Sequence, residues 1–369
     1  MANRKGFCVS PFRYAEFRKN GDVWQCCINW IPEPMGNILK DDWDKVWNSD
    51  AAVKLRQNMH DGNMSMCDET QCPYLQAWNR GEEDYSSYFP IYDVDTVHKL
   101  YNAKEINPHG KEKYKKIFKE KLTTLPWGPE SITFSHDESC NLACPSCRKD
   151  FFTTKGKERD RAYKIQNIIL GKPMCDSHEI YITSSGDPFG ADIFRDILKS
   201  INLKKHPNLI NLHLHTNANG WTKKHWNMLK NLHDIPRVTA EISIDAATKE
   251  TYEVVRKGGK WELLNKNMEF IFTEIPNLAF VRMTFVTQDN NFKEMNMFID
   301  WAERLHKLNG MVTEVNFGQI NNWGTWSDEE FFYKKIMDKN HPLYDEFTIE
   351  FDRVRERKIN SPIKITTNF

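Results

Sequence analysis

The sequence predicts an α/β chain, with a (β/α)6 partial barrel over residues 128–330 preceded by a small cysteine-rich domain over residues 1–89. Two observations carry this. Short apolar runs at Ser131–Ser135, Glu179–Thr183, Leu209–His215, Val238–Ile244, Ala279–Val286 and Val312–Phe317 read as strands. They alternate with helical patterns at Ala162–Leu170, Asp192–Ile201, Lys223–Leu232, Trp261–Phe272 and Phe292–Leu308, which implies parallel strands joined by right-handed crossovers. The second observation is the distribution of nine cysteines. Cys8, Cys26, Cys27, Cys67 and Cys72 lie in the first 72 residues, Cys140, Cys144 and Cys147 form a tight set, and Cys175 stands alone. The Lys-rich stretch 90–127 holds no cysteine and reads as a linker; residues 331–369 read as a charged, partly helical extension. A doubly wound open sheet is the rival architecture. No repeat of fixed period points to a solenoid.

Composition narrows the function classes. The 369 residues carry 51 Lys and Arg against 51 Asp and Glu, so the balanced charge gives no bulk attraction for nucleic acid or an anionic membrane. Mean hydropathy is −0.67 and no long apolar run reads as a membrane helix. Met1–Gly6 has no apolar secretory core, so a cytoplasmic protein is expected. In a reducing compartment, clustered thiols read as metal ligands or catalytic groups before disulfides.

In parallel α/β folds chemistry gathers at the C-terminal ends of the strands. The unusual polar segments of this chain fall there. Cys140-Asn141-Leu142-Ala143-Cys144-Pro145-Ser146-Cys147 follows the first strand, Ser184-Ser185-Gly186-Asp187-Pro188 the second and Thr216-Asn217-Ala218-Asn219-Gly220 the third. Ser243-Ile244-Asp245 ends the fourth, and Gln319–Asn322 follows the sixth. Three thiolates on one short loop can hold three corners of a [4Fe–4S] cube and leave one iron open to a ligand. A zinc site completed by His136 or a distant histidine is the alternative.

These motifs, over roughly residues 128–320, resemble the radical S-adenosylmethionine (SAM) superfamily. Cys140, Cys144 and Cys147 match its cluster triad, and Ser185-Gly186-Asp187-Pro188 resembles the turn that holds the SAM amino group. Ser243-Ile244-Asp245-Ala246 is similar to the strand end that meets the ribose; Tyr252–Arg256 with Gly258–Trp261 is similar to the stretch that follows. The resemblance implies a SAM-binding [4Fe–4S] cluster and a SAM pocket built from Ser146, Gly186, Asp187, Asn217, Ser243, Asp245 and Arg256. Arg256 would meet the SAM carboxylate. Ser146 stands where an aromatic residue is usual, so only its backbone would reach adenine, and Asp187 stands where Glu is commoner. An electron donor such as flavodoxin or ferredoxin is an expected partner.

The amino-terminal cysteines have their own pattern. Asn20-Gly21 is a turn signal that would bring Cys8 and Cys26 together, and Cys67 and Cys72 close the segment. Four thiols suffice for a second cluster. The order C-x12-G-x4-C, Gly36-Asn37-Ile38, Trp43–Ser49, Leu55-Arg56 and the terminal cysteine pair is similar to the SPASM domain and its shortened twitch form. That resemblance implies an auxiliary [4Fe–4S] cluster on Cys8, Cys26, Cys67 and Cys72; a zinc ribbon is the alternative. Cys27 and Cys175 read as buried, inert thiols, and His213 and His215 as packing residues. Trp24, Trp30, Trp43 and Trp47 would supply core to the small domain.

The implied activity is reductive cleavage of SAM to a 5′-deoxyadenosyl radical that abstracts hydrogen from a peptide or protein substrate. Oxidation or rearrangement of a small molecule is the runner-up, and a non-catalytic iron–sulfur electron carrier a third reading. No basic run supports an RNA substrate.

Overall fold

The structure is a computed structural model and describes residues 5–81, 91–94, 111–183, 185–311 and 313–367. The sequence expectations that fall on residues 1–4, 82–90, 95–110, Ser184, Val312 and 368–369 lie outside the described residues. The fold is mixed α/β with a large, mostly parallel sheet. The chain divides into two units, residues 1–136 with 160–179, and residues 137–159 with 180–369.

The first unit runs β1 (Gly6–Cys8), α1 (Ser10–Arg13), β2 (Tyr14–Arg18), β3 (Asp22–Trp24), β4 (Gly36–Asn37), α2 (Trp43–Trp47), α3 (Asp50–His60), α4 (Pro73–Arg80), β5 (Ile91–Asp93), α5 (Lys111–Lys119), β6 (Ser131–Ser135) and most of α6 (Gly156–Ile169). β1 pairs antiparallel with β5, and β2, β3 and β4 form an antiparallel meander. The Asn20-Gly21 turn forms as the sequence predicts. Gly21 has φ +89°, a conformation that disfavours side chains, and an added Cβ would lie 2.8 Å from Leu39. Asn37 secures the turn by donating Nδ2–H to Asn20 O at 3.0 Å and Asp22 Oδ1 at 2.8 Å.

Trp43 stacks on Trp47 at 5.5 Å, and both are buried, as is Trp24, so three of the four tryptophans supply core. Trp30 is half-buried against Tyr74. Fully buried Arg56 knits this core to its surroundings. It donates to the carbonyls of Pro11, Trp47 and Thr123 and to Asn48 Oδ1, all within 3.1 Å, with its guanidinium 4.5 Å from the Trp47 ring. The strand read from sequence as the first barrel strand, β6, pairs in parallel with β2. It is buried along its whole length, which fits a strand covered on both faces.

The second unit carries β7 (Glu179–Ile182), α7 (Asp192–Ser200), β8 (Asn211–Thr216), α8 (Lys223–Met228), β9 (Arg237–Ser243), α9 (Lys249–Val255), α10 (Trp261–Glu274), β10 (Leu278–Thr287), α11 (Met295–Asn309), β11 (Thr313–Gln319), α12 (Asp328–Lys334), α13 (Tyr344–Asn360) and β12 (Lys364–Thr367). Its strands lie side by side in chain order, β7 through β12, and β8 to β12 pair in parallel. The helix expected over Lys223–Leu232 breaks after Met228 into a 3-10 turn at Lys230–Leu232, where Asn231 donates Nδ2–H to the carbonyls of Leu198 and Ile201. The extension beyond 330, silent in the sequence, adds α13 and a further parallel strand, β12. Among the described residues, no helix is long and apolar enough to cross a membrane.

Candidate functional site

The loop between residues 137 and 154 presents the three clustered thiols. Buried Asp137 anchors it, accepting from Ser139 Oγ at 2.9 Å and from the Thr154 hydroxyl, and Cys140 N–H meets Phe152 O at 3.0 Å. Within the loop Cys147 N–H donates to Cys144 O at 2.8 Å, forming the turn that holds half-buried Ser146.

Every sulfur of the set receives a hydrogen-bond donor. Cys140 Sγ accepts from Leu142 N–H at 3.5 Å and Asn217 Nδ2 at 3.7 Å; Cys144 Sγ accepts from Arg256 Nη1 at 3.7 Å; Cys147 Sγ accepts from Arg148 Nη2 at 3.6 Å. Donors aimed at sulfur are what thiolate ligands of a metal cluster require around them. Burial meanwhile pushes the Cys140 thiol up to about 12, with Asp187 adding to it, and raises Cys144 despite the opposing pull of Arg256. Holding these groups as thiolates therefore calls for a positive partner such as a metal.

The loops after β7, β8 and β9 brace this set. Gly186 passes so close to the cysteine loop that a Cβ would sit 2.6 Å from Ser139 O. Asp187 is 1% exposed, and its carboxylate is engaged four times. Oδ1 accepts the N–H groups of Phe189 and Gly190 at 2.9 Å each; Oδ2 accepts the Thr216 hydroxyl at 2.9 Å and Asn217 N–H at 2.8 Å. Burial pushes its pKa up against these donors. Asp187 thus ties the β7 loop to the end of β8, with its carboxylate facing inward. Asn217, held by that contact, gives its own Nδ2 to Asn141 Oδ1 at 2.9 Å as well as to Cys140.

Asp245 is likewise turned inward. It is buried at φ +63°, accepts Val286 N–H at 2.7 Å, and pairs with Arg256 Nη2 at 2.7 Å. Arg256 therefore bridges Asp245 and Cys144. Ser243 remains half-buried, its hydroxyl 3.1 Å from His215 Nε2 and 3.3 Å from Thr284 Oγ1.

Several residues that hold this geometry went unread in the sequence. Asn141 and Arg148 meet the cysteine loop directly. Asn291 clamps Asp245 by donating to Asp245 O and Val286 O, each at 2.9 Å, while Glu294 accepts from Ala247 N–H, Thr248 N–H and the hydroxyls of Thr248 and Thr251. Asn-Asn-Phe at 290–292 matches no motif; only its position after a strand end could have pointed to it.

In the first unit, Cys8, Cys26, Cys67 and Cys72 line one small pocket with Trp30 and Tyr74. All are free thiols. Burial pushes Cys8 up to about 11 and Cys67 to about 12, and raises Cys26 well above its usual range. Cys72 also caps α4 by accepting Leu75 N–H at 3.4 Å. The chemistry of this donor set, four soft ligands on one small pocket, suits a polynuclear iron–sulfur centre. As the side chains stand, no group of three or more His, Cys, Asp or Glu among the described residues could hold a metal ion. Cys27 is half-buried but does not line the pocket. Cys175 is exposed rather than buried, because it follows a 3-10 turn at the surface, with Sγ 3.6 Å from Gly171 O. His136, an alternative zinc ligand in the sequence, is buried near Phe134.

The family model described as SPASM, an iron–sulfur cluster-binding domain, matches residues 8–73. No curated protein matches the chain. Among solved structures, SuiB of Streptococcus suis is similar at 14% identity and TM-score 0.45, covering 82% of this chain and 65% of SuiB. SuiB bound to its precursor peptide SuiA is similar at 12% identity and TM-score 0.40, covering 86% and 66% respectively. TYW1 with a lysine–pyruvate adduct is similar at 15% and 0.36, covering 64% and 72%. The chain thus spans just under two thirds of the length of SuiB. Residues 8–73 therefore match an iron–sulfur cluster-binding domain of the SPASM type.

Proposed function

We propose that the chain is a radical SAM enzyme acting on a peptide or protein, with a partial barrel that binds SAM and an amino-terminal SPASM module. The observation that carries the reading is the set of donors on the Cys140, Cys144 and Cys147 sulfurs, supplied from within the loop, from the end of β8 and from the segment after α9. Cys140, Cys144 and Cys147 would hold the SAM-binding [4Fe–4S] cluster; Cys8, Cys26, Cys67 and Cys72 would hold an auxiliary one. When bound, cluster and SAM supply an electron and a 5′-deoxyadenosyl radical able to abstract hydrogen from substrate.

The protein's own work is placement. Asp187 and Asn217 fix the β7 and β8 loops against the cysteine loop. Arg256, charge-paired with Asp245, keeps a cationic donor on Cys144, and half-buried Ser243 offers a hydroxyl on the same side of β9 as Glu241. The choice of a peptide as substrate rests on the resemblance of the SPASM module to domains associated with peptide modification. A flavodoxin or ferredoxin would deliver the electron. Anaerobic reconstitution with iron and sulfide, followed by SAM and dithionite, is expected to yield 5′-deoxyadenosine. None forming from protein with a full cluster would overturn the proposal.

A further inference from the structure

Strands of an all-parallel sheet are usually apolar on both faces. Here one face of β8–β12 is apolar, with Leu214, Ala240, Met283, Val315 and Ile365 buried, and the other is a ladder of charge. Neighbours in register run His215, Glu241, Arg282, Glu314 and Lys364, one from each successive strand. His215 Nε2 lies 3.9 Å from Glu241; Arg282 bonds Glu241 through Nη1 at 3.2 Å and Glu314 through Nε at 3.1 Å; Lys364 Nζ lies 3.2 Å from Glu314. A second polar row, Ser243, Thr284, Asn316 and Thr366, lies two residues further along each strand, about 7 Å away.

Exposure decides what this face shows to a ligand. The side chains of Lys364, His215 and Arg282 are 60%, 39% and 38% exposed, whereas Glu241 and Glu314 are 24% and 5%. The carboxylates lie beneath and the nitrogen donors outermost. Arg282 keeps Nη2 outside both of its ion pairs, and Lys364 lies two strands away, roughly 10 Å across the sheet. A guanidinium and an ammonium thus flank β11 from either side, an arrangement that suits a carboxylate. Ser243 shares this face, and Lys364 lies three strands from β9, roughly 14 Å across the sheet. A molecule bound along β10–β12 would therefore lie beside, rather than on, a ligand held at Ser243.

We propose that Arg282 and Lys364 form a substrate subsite for a carboxylate, carried by an acidic side chain or by a peptide's terminal carboxylate. This rests on the reading of Ser243 as part of the SAM pocket. The test uses reconstituted, SAM-loaded protein and ligand-detected NMR with three probes at millimolar concentration: N-acetylglutamate α-amide, N-acetylglutamine and the neutral N-acetylglutamine α-amide. At least one acidic probe is expected to bind about tenfold more tightly than the neutral one, and which one does identifies the source of the carboxylate. Lys364→Gln and Arg282→Gln should each erase most of that preference while SAM affinity by equilibrium dialysis stays unchanged. Arg282→Gln leaves Glu241 and Glu314 short of a partner, so if it does not fold, Lys364→Gln alone decides. Equal binding of all three probes, or a preference that survives Lys364→Gln, overturns the subsite. Formation of 5′-deoxyadenosine by wild type, measured separately without probe, tells failure of the enzyme assignment from failure of this inference.

Discussion

Asp187→Asn separates a brace from a ligand. The native carboxylate accepts four donors while 1% exposed. An amide of the same shape keeps one oxygen, for two of those donors, and turns its NH2 toward the other two. Two hydrogen bonds to a charged group are then lost, each worth roughly 1.5–3 kcal/mol, and two donors face an NH2 group. Allowing for relaxation, the loop should open more easily by about 3 kcal/mol. If that opening governs exchange, amides in segments 187–191 and 216–218 should exchange about a hundredfold faster. Hydrogen exchange read by mass spectrometry tests this on the reconstituted protein. Asp187→Asn should also weaken SAM binding, as a consequence of the loosened loops. Exchange unchanged within threefold, together with lost SAM binding, would refute the bracing argument and make Asp187 a direct contact of SAM.

Other expectations concern stability and metal content. Arg56→Lys replaces a four-bond guanidinium by one ammonium and should cost the first unit roughly 2–4 kcal/mol in urea denaturation; no change would contradict the role of Arg56 as its central tie. Burial lowers His136 to about 4, against an unfolded value near 6.5. The unfolded chain therefore binds the extra proton first, so this contribution is intact above pH 6.5 and is lost as pH falls toward 4, by up to roughly 3 kcal/mol. His136→Asn should flatten the slope of stability against pH in that window by about one proton, and an unchanged slope would show that His136 is not protected. Wild type should carry about eight irons, and the Cys140, Cys144 and Cys147 triple Ala variant about four, because the two cysteine sets share no member. Retention of about eight irons in the triple variant would break the two-cluster assignment.

Much of the second unit was legible because its elements obey two clear periods. The alternation that marks Val238–Ile244 and Ala279–Val286 as strands survives in the structure within a residue or two. The same alternation hid the charged ladder. Glu241, Arg282 and Glu314 lie on separate strands, and only the register makes them one row. Spacing brought out the thiols, and Asn20-Gly21 brought out the hairpin. The buried amides and carboxylates that hold the site were not legible, since Asn291, Glu294 and Asn141 act across 46 residues or more on partners the local sequence does not name. Asp187 and Asp245 were found as positions, but burial turned both carboxylates inward. The pairing of β6 with β2 joins residues more than a hundred apart and left no local trace.

If Cys140, Cys144 and Cys147 hold an open cluster, as proposed, that cluster binds SAM. The most direct test of this binding is the EPR spectrum of the dithionite-reduced, iron-replete protein recorded with and without SAM, in wild type and in the Cys67→Ala, Cys72→Ala variant, which leaves that cluster as the only intact one. SAM should shift the signal in both proteins, and 5′-deoxyadenosine should accumulate in wild type. A spectrum indifferent to SAM in both would contradict this binding and mark the chain as an electron carrier.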